Sequence, residues 1–275
     1  VAIPTQNGIA QLFDSYGRQA RLFPALLAIF PPLLTILAWF PWLLLSSGGA
    51  TVLTLATSCG LLYALGSYAR TKGKRLEPKL LKRWGGWPTT LLLRHDSELD
   101  QHTRLRYHTY LAGVVPENLS FPTVQEEQAN LAGADAVYDS AVRWLKERTR
   151  GKEFAMVERE NAQYGFRRNL LGLKPFALAL CFLTLVITML TIFNKAPNFV
   201  DSVRNCDFAA LAKVASDLGP AILATFAVNL FAMLAWFFVV TKHWVREAGF
   251  QYAYALLAVC DMTTNATNKK RKKAV

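Results

Sequence analysis

Charge is missing from long stretches of this chain. Runs 22–46, 50–68, 173–194 and 219–241 hold no Asp, Glu or Arg, and their single lysine is Lys174 at a boundary. Each approaches or exceeds the ~20 residues that a helix needs to cross hydrocarbon. A charged side chain at the bilayer centre costs at least ~2.5 kcal/mol on insertion scales, so the four runs read as spans. The missing mid-span carboxylates and lysines argue against a proton-coupled pump or a voltage sensor. Cysteine is scarce as well. Cys59 and Cys181 fall in spans and Cys206 and Cys260 outside them, which gives neither a disulfide framework nor a metal-ligand spacing. No P-loop, GxSxG, HExxH or dinucleotide glycine fingerprint occurs, so the expectation is a non-enzyme without cofactor or bound metal.

What is present is basic charge, with a net of +12. Arg70, Lys72, Lys74, Arg75, Lys79, Lys82 and Arg83 follow the second span, Arg167 and Arg168 precede the third, and Lys269 to Lys273 close the chain. The connection 195–218 balances Lys195, Arg204 and Lys213 against Asp201, Asp207 and Asp217. The positive-inside rule therefore predicts both termini and residues 69–172 on the cytoplasmic side of a bacterial inner membrane. Residues 1–21 are too polar for a signal core, so the run from Leu22 reads as a retained span.

The expected fold is all-α: an integral membrane protein with two transmembrane hairpins, 22–68 and 173–241, flanking a cytoplasmic helical domain, 69–172. A short segment, 1–21, precedes them, 195–218 forms an outer loop, and 242–275 carries a cytoplasmic helix and polybasic tail. Trp84-Gly85-Gly86-Trp87-Pro88 must break any helix, and its tryptophans suit a membrane interface. Ser97 with Asp100 and Thr123 with Glu126 resemble helix-start boxes, giving helices near 97–112, 124–149 and 153–171. The second places Leu131, Ala134, Val137, Tyr138, Ala141, Val142 and Leu145 on one apolar face. Without proline from Thr241 to Met262, the fourth helix is expected to continue beyond its span.

Polar residues inside the spans admit two readings. Thr184, Thr188 and Thr191 recur at helical spacing and Asn229 sits mid-span; they line a narrow water path, or the hydroxyls bond their own helix carbonyls while Asn229 links neighbouring helices. Ala56, Gly60 and Ala64 form a small-residue ridge for close helix approach, within the chain or between copies. Pro24, Pro31, Pro32 and Pro41 interrupt the first span.

Outside the spans, His95, Asp96, Asp100, His102 and His108 are metal-type side chains without a closed zinc spacing, and read as a solvated surface. Arg104, Arg106 and Tyr107, then Tyr164, Arg167 and Arg168, interleave guanidinium forks with aromatic rings. That combination suits a phosphate-bearing nucleotide or oligonucleotide. Juxtamembrane basic clusters equally meet anionic lipid, at ~1 kcal/mol per residue.

Ala69-Arg70-Thr71-Lys72-Gly73-Lys74-Arg75-Leu76-Glu77, Trp84 to Thr90, Arg104-Leu105-Arg106-Tyr107-His108, and the stretch from Glu160 through Tyr164-Gly165-Phe166-Arg167-Arg168 to Asn169 resemble bacterial membrane proteins of anti-phage defence loci. The similarity is to the membrane effector of Hailong-type systems, which accompanies a nucleotidyltransferase. That resemblance implies a homo-oligomeric ion channel regulated by an oligonucleotide made by the partner enzyme. A lipid- or nucleotide-processing membrane enzyme and a non-conducting scaffold remain as alternatives. The enzyme would require its histidines to gather with carboxylates in one cleft.

Overall fold

The computed structural model describes residues 15–42, 46, 48–49, 60–116 and 119–262. These residues form helices and no strand. In chain order, α1 (Ser15–Gly17) leads through a π-helical turn (Arg18–Leu22) into α2 (Phe23–Trp39); α3 (Leu61–Trp84) and α4 (Pro88–Leu93) follow. Next come α5 (Gln101–Val114), α6 (Val124–Ala129), α7 (Leu131–Arg148) and a 3-10 turn (Lys152–Phe154). The chain continues with α8 (Ala155–Lys195), α9 (Phe199–Arg204), α10 (Phe208–Leu218), α11 (Pro220–Phe238) and α12 (Lys242–Leu257).

Three helices are long and apolar enough to cross a membrane: Arg18–Trp39, Ala155–Lys195 and Pro220–Phe238. Most of the expected second span, with Cys59 and Ala56, lies outside the described residues, as do residues 43–45 of the expected first span and the polybasic tail. The described helices nonetheless redraw several expected boundaries. The helix expected at 153–171 and the third span are one helix of 41 residues, which runs on through Pro175 because the residues around it are mostly good helix formers. The fourth span does not continue past Thr241. Its helix ends at Phe238, and the Thr241 hydroxyl accepts the Trp244 N–H at 3.2 Å to start α12. The helix expected at 124–149 breaks at Asn130, whose carboxamide oxygen accepts from Gly133 N at 2.9 Å and caps α7. Asp100, not Ser97, caps α5, accepting from Thr103 N at 2.9 Å. The Thr123–Glu126 capping box forms with both of its arms.

The chain divides into two compact units, Val1–Leu76 with Gly165–Trp244, and Glu77–Tyr164 with Val245–Val275. In the first, Pro24 deprives the Ala20 carbonyl of its ordinary donor four residues on, and Asn169 Nδ2 supplies one at 2.6 Å. Close approach at the same place depends on glycine. A Cβ on Gly172 would lie 2.6 Å from Gly73 N, and Asn169 and Gly73 are buried where α3 meets α8. Farther along, Ile192, Leu218 and Ile222 cluster with Trp39, Met189, Phe199 and Val214. Lys174 Nζ donates to the carbonyls of Phe237 and Val240, both at 2.9 Å, and so closes the end of α11. Phe182, Phe231 and Phe238 face outward, as lipid-exposed side chains do.

The second unit has a conventional apolar core. Leu92, Leu93, Leu111, Tyr138, Ala141, Leu145, Leu256 and Leu257 are buried together. The Gly85 and Gly86 N–H groups both return to the Leu81 carbonyl, and Gly85 has a φ of 88°, so the Trp84–Pro88 stretch terminates α3 as a glycine C-cap. Lys146 Nζ sits 5.2 Å from the centroid of the Trp87 ring.

Candidate functional site

A cavity of about 660 Å3 opens in the second unit, lined by His95, Asp96, Gln101, Arg104, Leu105, His108, Val124, Glu127, Gln128 and Leu131. Its walls are α5, α6, the first residue of α7 and the segment after α4. The capping box at Thr123 sets α6 so that Glu127, next after the box glutamate, turns inward and is buried. There its carboxyl oxygens accept the Tyr138 hydroxyl at 2.6 Å and the His95 backbone N–H at 3.1 and 3.2 Å. A bidentate pair of Arg94 with Asp135, at 2.8 and 2.6 Å, anchors the residue before His95 to α7.

The two imidazoles are fixed by backbone carbonyls. His95 Nε2 lies 2.9 Å from the Pro122 oxygen and His108 Nε2 lies 2.8 Å from the Leu93 oxygen. A carbonyl only accepts, so each Nε2 carries a proton, and a neutral ring is left with Nδ1 as an acceptor. Their rings meet edge to face at 5.6 Å, and His108 also packs on Phe121 at 4.6 Å. Burial pushes the His108 pKa down to about 4, with the Leu93 bond opposing the shift. Burial and the bond to Glu127 push the Tyr138 hydroxyl well above its ordinary range, so it stays a donor. Arg104 Nη1 donates to the Leu99 carbonyl at 3.1 Å and to the Ser97 hydroxyl at 3.4 Å, and it is the one lysine or arginine of the lining.

Of the six residues expected to bind a ligand, Arg104 alone lines this cavity. Arg106 pairs with Asp261 at 3.1 Å and with the Thr103 hydroxyl at 3.1 Å. Tyr107 is buried in the core, and its pKa is pushed up by that burial to about 12. Tyr164 donates its hydroxyl to Glu77 at 3.1 Å. In the first unit, Arg167 bonds the Trp244 carbonyl at 3.0 Å and lies 4.8 Å from that ring's centroid, while buried Arg168 bonds Asn169 Oδ1. Glu127 and Asn169 escaped the sequence reading, though the capping box next to Glu127 was its signal. Asp100 is spent as a cap and His102 lies outside the cavity. Among the described residues no three His, Cys, Asp or Glu side chains are placed to hold a metal ion.

In the membrane-compatible helices, Thr184, Thr188 and Thr191 each bond the carbonyl four residues back, at 2.8 to 2.9 Å. Asn229 is fully buried. Its Nδ2 donates to the Thr35 hydroxyl and to the Thr225 carbonyl, both at 2.8 Å, while Trp39 Nε1 donates to the Thr225 hydroxyl at 3.1 Å. The network ties α2 to α11 and leaves Asn229 Oδ1 without a donor. Compared with known proteins, the chain matches no protein-family model, no curated protein and no solved structure.

Proposed function

We propose that this chain is an oligomeric membrane pore of bacterial anti-phage defence, regulated by a nucleotide or short oligonucleotide at the cavity around Arg104. The observation that carries the reading is that cavity, a polar site with an arginine on its wall in a chain whose other unit holds helices fit to cross a membrane. Arg104 offers the ligand a guanidinium for phosphate. The reading assigns Asn229 and the threonine row to the border of an ion path, and a ring of copies is the usual way to close one. The nucleotidyltransferase suggested by the resemblance would supply the regulator. In this reading the protein lies in the inner membrane with both termini cytoplasmic.

The test is reconstitution of the purified protein in planar bilayers. Currents that change on adding nucleotide, and lose that response in Arg104→Gln, support the proposal; absence of conductance with and without nucleotide overturns it. Periplasmic labelling of Cys206 in intact cells supports the orientation, and labelling of a cysteine placed at Gln101 from that side refutes it.

A second reading has one observation in its favour. His95 and His108 gather with Asp96 and Glu127 in a single cleft, the arrangement required of a nucleotide-processing membrane enzyme. Incubation with nucleotide separates the two: turnover favours the enzyme, and recovery of intact ligand favours the regulated pore.

A further inference from the structure

A groove of about 380 Å3 lies in the first unit, between α2, α8 and α11. On α11 its lining residues Val228, Ala232, Ala235 and Val239 recur at intervals of three and four, which makes one stripe of that helix, ~16 Å long at 1.5 Å per residue. The two alanines leave the hollow, and Leu170 and Trp236 are buried beside it. Every lining side chain is apolar apart from the indole nitrogens of Trp236 and Trp244. A held water needs two to four polar partners, so this space stays dry.

The two ends of the groove differ. At one stand Pro31, whose carbonyl accepts the Thr35 hydroxyl at 3.1 Å, and Val228, the neighbour of Asn229, so the lining stops where the Thr35–Asn229 bond ties α2 to α11. At the other, Phe166 and Trp244 meet edge to face, and cations gather. Arg167 lies on the Trp244 ring, Lys174 bonds the carbonyl of the lining residue Val240, and Lys242 is exposed two residues before Trp244. An ammonium has three N–H groups, and Lys174 gives two of them to carbonyls, which leaves one for an acceptor from outside. The described carboxylates of this unit, Asp201, Asp207 and Asp217, all belong to the connection at the opposite ends of α8 and α11.

An apolar track of this length matches one leaflet, half of a ~30 Å hydrocarbon core, and is longer than any single side chain that a second protein could insert. Cations at one end alone ask for an occupant with an apolar tail and an anionic head. We propose that the groove holds one acyl chain of an anionic phospholipid, with the head group at the Lys174 and Arg167 end. This differs from the bulk lipid that bathes Phe182 or Phe238, because the chain lies between helices and fills the gap that the Thr35–Asn229 bond leaves between α2 and α11. In the proposed orientation the charged end meets the cytoplasmic leaflet, where anionic lipid concentrates. The site is separate from the cavity around Arg104 and does not rest on the assignment of that cavity.

The test is native mass spectrometry of the full-length protein, delipidated in detergent and titrated with phosphatidylglycerol or with phosphatidylcholine carrying the same chains. The wild type is expected to retain one phosphatidylglycerol per subunit, about tenfold more tightly than phosphatidylcholine, because only the first has a net negative head. Glycerol phosphate, the head without the chains, is expected not to displace it. Ala235→Leu places a good helix former in the hollow and is expected to abolish the tight lipid while the melting temperature measured without lipid holds or rises. Ala232→Leu fills the same hollow from another position, so the decision survives if one of the two variants fails to fold. Tight phosphatidylglycerol retained by a folded filling variant shows that the cations hold lipid without the groove, and overturns the proposal. Equal retention of the two lipids by the wild type, or retention of neither, overturns it as well, the last being the result expected if a second copy of the chain covers this face.

Discussion

Gly172→Ala is expected to force apart two helices that meet backbone to backbone. The added carbon would lie 2.6 Å from Gly73 N, 2.7 Å from Lys72 C and 2.9 Å from Gly73 Cα, all of them main-chain atoms that no rotamer change can move. Ordinary carbon contacts begin near 3.5 Å, so α3 must retreat by about 1 Å. Overpacking of this kind costs ~1–3 kcal/mol. The retreat also strains the Asn169–Ala20 bond beside it. Gly113→Ala supplies the contrast, since it lies in α5 with nothing within 4 Å of the added carbon and exchanges a poor helix former for the best one. It is expected to stabilise by up to ~1 kcal/mol. Thermal unfolding in one detergent, followed by near-UV circular dichroism, reads both variants: the melting temperature falls by several degrees for Gly172→Ala and rises or holds for Gly113→Ala. A Gly172→Ala protein that melts with the wild type refutes the close crossing.

His108 ties stability to acidity. Its pKa falls from 6.5 unfolded to about 4 folded, so the unfolded chain binds the proton first. Stability is then full above pH 6.5 and lost as pH falls towards 4, by at most about 3 kcal/mol. Denaturant titrations of wild type and His108→Gln across that window should differ in slope; parallel curves refute the burial argument. Thr123→Ala removes the hydroxyl arm of the α6 cap, leaving the backbone N–H of residue 123 on Glu126, and is expected to cost ~1 kcal/mol, with weaker nucleotide binding at the proposed site because Glu127 loses part of its setting. Unchanged stability and affinity count against that dependence. A double-mutant cycle of Thr35→Val with Asn229→Leu should give a coupling of ~0.6 kcal/mol. Additivity within error would dissolve the link between α2 and α11.

Sequence patterning reached what depends on short range and omitted what depends on partners far along the chain. The apolar runs and the Thr123–Glu126 cap are local, and the helices found over 18–39, 173–194 and 220–238 follow from them. The interleaving of arginines with aromatics was local too, and there it misled. Arg167 meets Trp244 at a separation of 77 residues, and Tyr164 meets Glu77 at 87, so charges that looked available to a ligand are engaged within their own units. The cavity was hidden for the converse reason. Glu127 looks like one more exposed carboxylate of a helix start until Tyr138 from the next helix claims it, and His95 and His108 come together only through carbonyls at Pro122 and Leu93.

Lys174 stands near the start of one apolar stretch and holds the closing carbonyls of another more than sixty residues later. An ammonium group resists being drawn into hydrocarbon, so it acts as a float. Whatever depth α8 takes in the bilayer, the end of α11 is moored to the same waterline, and thinner or thicker lipid must be accommodated at the opposite ends of the two helices. Sliding one helix along the other by a single turn would drag the charge below the surface or strip it from both carbonyls. In the proposed pore, an opening motion of this unit would therefore be confined to tilts and rotations pivoting about that point.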